Sequence, residues 1–162
     1  MHSQPKHRSG IILISFAVAF ALTMLPLPDW SEVGRPEWVS LVVIYWCLAL
    51  PERVGVGIAW MAGLLLDVIH GAILGQYALA LALLAYFTLH FYQRIRIYRI
   101  WQQATVVFML ILSEQLIIIW IKGTIGQAPE SRLYWVPSLT TALLWPWIYH
   151  ILRDLRRKFR VN

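Results

Sequence analysis

Charge is what this sequence has least of. Acidic and basic side chains make up 14% of its 162 residues and hydrophobic ones 59%, a balance outside the range of soluble globular chains. It leaves no room for a second, water-soluble unit beside one membrane domain. Cysteine is as scarce: Cys47 stands alone, which excludes an intrachain disulfide, and its apolar surroundings make it core filler. Also missing are a nucleotide-binding loop, a Gly-x-Ser-x-Gly elbow and a Cys-x-x-Cys pair, so no enzyme activity is expected and no catalytic, metal or cofactor residue is assigned. A net charge of +6 would suggest nucleic acid in a soluble protein. Without a soluble domain to carry it, the basic excess belongs to membrane topology and anionic lipid, and no nucleic-acid partner is expected.

What the chain does have is apolar length. The stretch from Leu50 to Tyr92 organises it, because the forty residues between Arg53 and Arg94 hold one formal charge, Asp67. Forty residues are two bilayer crossings of about 20 each, and Gly71, near the midpoint, is the natural reversal. Small residues recur every fourth place at Gly55, Ala59 and Gly63, with Asp67, Gly71 and Gly75 following in the same rhythm. Steps of four drift by about 40° on a helix, so these positions share one broad face. Such faces let helix backbones approach closely in lipid. Gly63, Asp67, Gly71 and Gly75 are therefore expected to receive the helix of a partner. Gly63→Leu or Gly71→Leu should then block that partner while the protein still inserts; if the face instead packs internally against the chain's own helices, the leucine variants misfold and lose yield along with binding. An acid on such a face is functional by default.

Pro51-Glu-Arg53-Val-Gly55 leads into Gly63-Leu-Leu-Leu-Asp67, then Gly71 and Leu74-Gly75; Arg35-Pro-Glu-Trp38 lies upstream and Leu144-Trp-Pro-Trp147 near the end. In these motifs, their order and their spacing, the chain resembles the bacterial rod shape-determining MreD family over nearly its whole length. The resemblance implies a non-catalytic adaptor in the complex that directs lateral cell-wall synthesis. It implies MreC as partner, an association with the actin-like MreB in the cytoplasm, and the wall-synthesising membrane enzymes, a RodA-type glycosyltransferase and its penicillin-binding transpeptidase. It also implies a fold similar to the substrate-binding subunits of energy-coupling-factor transporters. A vitamin importer subunit is the rival reading, and the lack of an obvious convergent polar pocket favours the adaptor.

Taken in order, the chain reads as an all-α integral membrane protein with six crossings, near residues 10–27, 36–50, 54–70, 74–92, 104–121 and 137–152. The first is basic at its start, and Ala19-Phe-Ala21 resembles a leader cleavage site. The apolar run continues through Leu22 to Leu27 where a cleavage region turns polar, so the helix is expected to be retained. The second, Trp38 to Leu50, spans only about 20 Å as a helix, short of the ~30 Å core. It must start back at Pro36, thin the bilayer or rest on other helices. The tight Glu52-Arg53 turn predicts that helices two and three are antiparallel neighbours. Residues 92–102 read as a basic and aromatic loop carrying Arg94, Arg96 and Arg99. Pro146 predicts a kink in the last helix.

The fifth crossing carries Glu114 at its middle, among Leu110, Ile111, Ile117 and Ile118. Any group that meets this acid must come from another helix: either Glu114 is protonated, or a basic or polar group from a bound protein meets it. Asp67 and Glu114 make a poor carboxyl dyad, one near a membrane face and one mid-bilayer. Asp67 and His70 together are too few ligands for zinc. Eleven of the fourteen Lys and Arg residues fall in the amino-terminal segment, the 52–53 turn, the 92–102 connector and the tail. The tail alone holds Arg153, Arg156, Arg157, Lys158 and Arg160. By the positive-inside rule both termini lie in the cytoplasm, and the resemblance implies that the membrane is the bacterial inner membrane.

Overall fold

The computed structural model describes residues 5–26, 37–50, 54–71, 74–126 and 135–158, the side chains of 5–9 excepted. These form six helices and no strand: α1 (Pro5–Met24), α2 (Trp38–Ala49), α3 (Val56–His70), α4 (Gln76–Ile97), α5 (Ile100–Thr124) and α6 (Val136–Lys158). The Glu52-Arg53 turn, Arg160 and most of the loops on the opposite side lie outside the described residues.

The architecture follows from α2. Its sequence is apolar all round, with Ser40 as the one small polar residue, and such a helix is stable when it is enclosed on every side. Enclosed it is: Val39 through Leu48 are all buried. α2 packs against α1, α4 and α6, while α3 lies along α4, and α5 bridges α4 and α6. At 12 residues α2 is about 18 Å long, so of the three solutions to its shortness the protein uses support from other helices. The centre of the bundle is therefore α2, not the α3–α4 pair. Helices α2 and α3 are not packed along one another, contrary to the expectation from the tight turn, because α1, α4 and α6 already occupy the flanks of α2. An apolar cavity of about 540 Å³ opens between α1, α2 and α6.

Two helices are long and apolar enough to cross a bilayer by themselves, α4 with 22 residues and α5 with 25. They also run further than their apolar cores suggest. The basic 92–102 stretch is not a loop: α4 continues through Arg94 and Arg96 to Ile97, and α5 starts at Ile100. Ile95 is buried in the last turn of α4, so packing carries the helix past the charges. The tail is likewise helical to Lys158. There Arg156, Arg157 and Lys158 sit where cations favour the helix C-terminus. Pro146 lies inside α6, which continues on both sides of it.

Candidate functional site

The polar side chains inside the bundle are the candidates, and the structure gives most of them a partner within the chain, while the Tyr45 hydroxyl and the Trp46 indole N–H have none. Asp67 is fully buried in the last turn of α3. Its two carboxylate oxygens accept the backbone N–H groups of Gly75, at 2.8 Å, and Tyr77, at 2.7 Å. These belong to the start of α4, whose first N–H groups have no intrahelical acceptor. Asp67 is thus a cap supplied by the preceding helix. The reversal between the two helices needs left-handed backbone at Gly71 (φ 64°) and Gly75 (φ 105°), a conformation that glycine adopts without steric cost.

One turn back from Asp67, Gly63 faces α4 directly. A Cβ built there would lie 2.5 Å from the Tyr77 carbonyl oxygen and 2.6 Å from the Ala78 nitrogen, and against the Ala78 Cα. The small-residue face is real, with Ala59 and Ala62 also buried. It is filled by the chain's own α4. Within the chain Gly63 and Asp67 bind α4, while Gly71 and Gly75 form the turn; these contacts favour internal packing of the face over a partner helix. His70 belongs to the same junction. Its Nδ1 lies 3.0 Å from the Leu66 carbonyl and its ring stacks on Tyr77 at 4.7 Å.

Glu114, 1% exposed, is met by α2. The Ser40 hydroxyl lies 2.9 and 2.7 Å from its two carboxyl oxygens. The chain itself thus supplies a polar partner to the acid from another helix. The acid whose charge reaches Glu114 is Glu37 rather than Asp67, and Asp67 and Glu114 are not brought together. Glu37 itself is tied to α6, its backbone N–H donating to the Thr141 hydroxyl at 3.0 Å. Further along, Gln103 of α5 donates to the Ile95 carbonyl at 3.1 Å and accepts from the Trp145 indole at 3.4 Å. Ser40, Thr141 and Gln103 were not singled out in the sequence. Their signal was polar residues within apolar helices, Ser40 alone and Gln103 and Thr141 beside a second polar residue, which in lipid are expected to find partners on other helices.

Removing Ser40 tests this reading. Ser40→Ala leaves a buried carboxyl without its hydroxyl and should cost about 1–3 kcal/mol. Adding Glu114→Leu should restore most of the loss. The coupling in a double-mutant cycle should reach about 1.7 kcal/mol, the upper end for polar pairs in membranes. Reversible unfolding in detergent measures it. A single Ser40→Ala variant as stable as the wild type would mean that Glu114 is held by something else.

Of the cations, Arg96 and Arg156 reach one small polar cavity at the end of the bundle where α2, α4 and α6 finish. Arg94, Arg99, Arg157 and Lys158 lie at the same end, outside that cavity. Among the described residues no three His, Cys, Asp or Glu side chains gather as a metal site would require.

These features define a class: an all-helical membrane protein whose buried polar side chains mostly hold its own helices together. Two comparisons place it further. The family model for the rod shape-determining protein MreD matches residues 6–155. The rod shape-determining protein MreD of Haemophilus influenzae is 31% identical over 151 residues, which cover 93% of each chain. The chain belongs to the MreD family, a family of proteins that determine rod shape. No solved structure matches it.

Proposed function

We propose that this protein is a non-catalytic adaptor of the cell-elongation complex, linking MreC and the MreB cytoskeleton to lateral peptidoglycan synthesis. The observation that carries the reading is the family match along almost the entire chain. All six helices would cross the inner membrane with both termini in the cytoplasm. The charge distribution supports that orientation, since Arg94, Arg96, Arg99 and the basic end of α6 gather at one end of the bundle, and Lys and Arg accumulate in cytoplasmic segments. The wall-synthesising enzymes, a RodA-type glycosyltransferase and its transpeptidase, would be recruited through the same assembly. With Gly63 turned inward, their contacts fall on the outer apolar surfaces of the bundle.

Reporter fusions at Trp30, His70 and Glu130 should read outside, and fusions at Glu52, Ile97 and Asn162 inside. An inside signal at Glu130 would remove the sixth crossing and place the basic end across the membrane. Function is tested by expression in a rod-shaped bacterium that lacks its own MreD. Restored rods, with MreC and wall-synthesis proteins co-purifying in mild detergent, are the expected result. Co-purification of an ATPase module and a vitamin would overturn the adaptor in favour of an importer subunit.

A further inference from the structure

At the basic end of the bundle, the last turn of α2, the α4–α5 junction and the last turns of α6 enclose a polar cavity of about 140 Å³. Tyr45, Arg96, Gln103, Tyr149 and Arg156 are among its walls. Tyr45 is the informative one. It is 2% exposed, and its hydroxyl has no hydrogen-bond partner. A buried hydroxyl without a partner is uncommon, because the lost hydration is not repaid. The ring is held in place by edge-on packing with Trp46 at 5.2 Å and Tyr149 at 5.7 Å, so the hydroxyl is fixed where it stands. The positive charges of Arg156, Arg153 and Arg157 all act on it. Among the described residues no carboxylate pairs with Arg96 or Arg156. Gln103 is already engaged with Ile95 and Trp145 and forms a fixed polar wall.

We propose that this cavity binds a phosphate group, and that in the membrane the group belongs to an anionic phospholipid headgroup. A rigid phenol donor and two guanidinium groups, whose planar forks match phosphate oxygens, are the donor set such an anion requires. The volume holds one headgroup phosphate and is well below the roughly 300–1,000 Å³ of sites for whole small molecules. Basic pockets between membrane helices are known places for lipid headgroups. The site rests on the packing of α2, α4, α5 and α6. Only the leaflet rests on the topology proposed above, so a wrong orientation would move the lipid to the other leaflet without removing the pocket.

The test uses the full chain, delipidated in detergent, with short-chain phosphatidylglycerol, phosphatidylcholine and inorganic phosphate as probes, read by native mass spectrometry and melting. Tyr45→Phe keeps the ring packing and removes only the hydroxyl. It should weaken phosphatidylglycerol binding by roughly tenfold, the value of one hydrogen bond to a charged group, without lowering the melting temperature of the lipid-free protein. Arg156→Gln should weaken binding at least as much, and more than Arg157→Gln, which removes the same charge outside the cavity. Phosphate that competes with phosphatidylglycerol confirms the headgroup phosphate as ligand. Phosphate that binds with no competing lipid keeps the site and makes free phosphate its ligand. Lipid binding that ignores Tyr45→Phe and falls equally in the two arginine variants overturns the proposal, leaving only surface charge. So would binding of an acidic peptide in place of either probe, which would assign the cavity to a protein carboxylate.

Discussion

Replacing Gly63 by leucine is expected to cut the yield of monodisperse protein severalfold in detergent, while the same replacement at Gly57 leaves it near wild type. Both glycines lie in α3, and both substitutions favour helix formation, by up to about 1 kcal/mol per residue. They differ in what the side chain meets. At Gly57 nothing lies within 4 Å of an added Cβ, whereas at Gly63 the first neighbours are backbone atoms of Tyr77 and Ala78. A flexible side chain could turn away, but a helix backbone can yield only by separating α3 from α4. Overpacking of this kind costs about 1–3 kcal/mol where side chains can adjust, and a backbone contact places Gly63→Leu at or beyond the top of that range. Gly63→Ala should already show part of the loss. Gly71→Leu meets no obstruction but forces a left-handed residue, at about 1–2 kcal/mol. If Gly63→Leu folded in normal yield and lost only a partner, the small-residue face would be an external surface after all.

That reversal shows what the sequence can and cannot say. An all-helical membrane class was legible from the scarcity of charge, and the reversal at Gly71 from its place near the midpoint of a forty-residue apolar stretch. A repeat of small residues says that a backbone comes close; it does not say whose backbone. The helix ends were misread for a related reason. Arg94 and Arg96 look like loop by charge, yet Ile95 between them is buried and keeps α4 helical. Trp38–Ala49 looked too short to span, and its shortness was the clue that it is the enclosed centre. Ser40, Tyr45 and Thr141 carry no spacing signature, because the partners of Ser40 and Thr141 come from distant parts of the chain and Tyr45 has none described.

Asp67→Ala is expected to destabilise the protein through the start of α4. An acid in the last turn of α3 is on the unfavourable side of its own helix dipole, since negative charge is favoured at N-termini. What compensates is α4, whose N-terminus it caps through Gly75 and Tyr77. Both hydrogen bonds are partly buried, and each N–H would lose its acceptor in the alanine variant, at up to about 1–3 kcal/mol apiece where water does not replace it. Asp67→Asn is not a neutral control for charge here. Its amide keeps one acceptor oxygen but turns an N–H donor toward the second backbone N–H, so about half the loss should remain. Hydrogen exchange of the protein in micelles reads this directly. The amides of Gly75 and Tyr77 should lose protection in Asp67→Ala, and partly in Asp67→Asn, before those in the middle of α4 change. Unfolding in detergent should follow the same order. If instead both variants keep full protection at Gly75 and Tyr77 while MreC no longer co-purifies, Asp67 serves a partner and the cap is incidental.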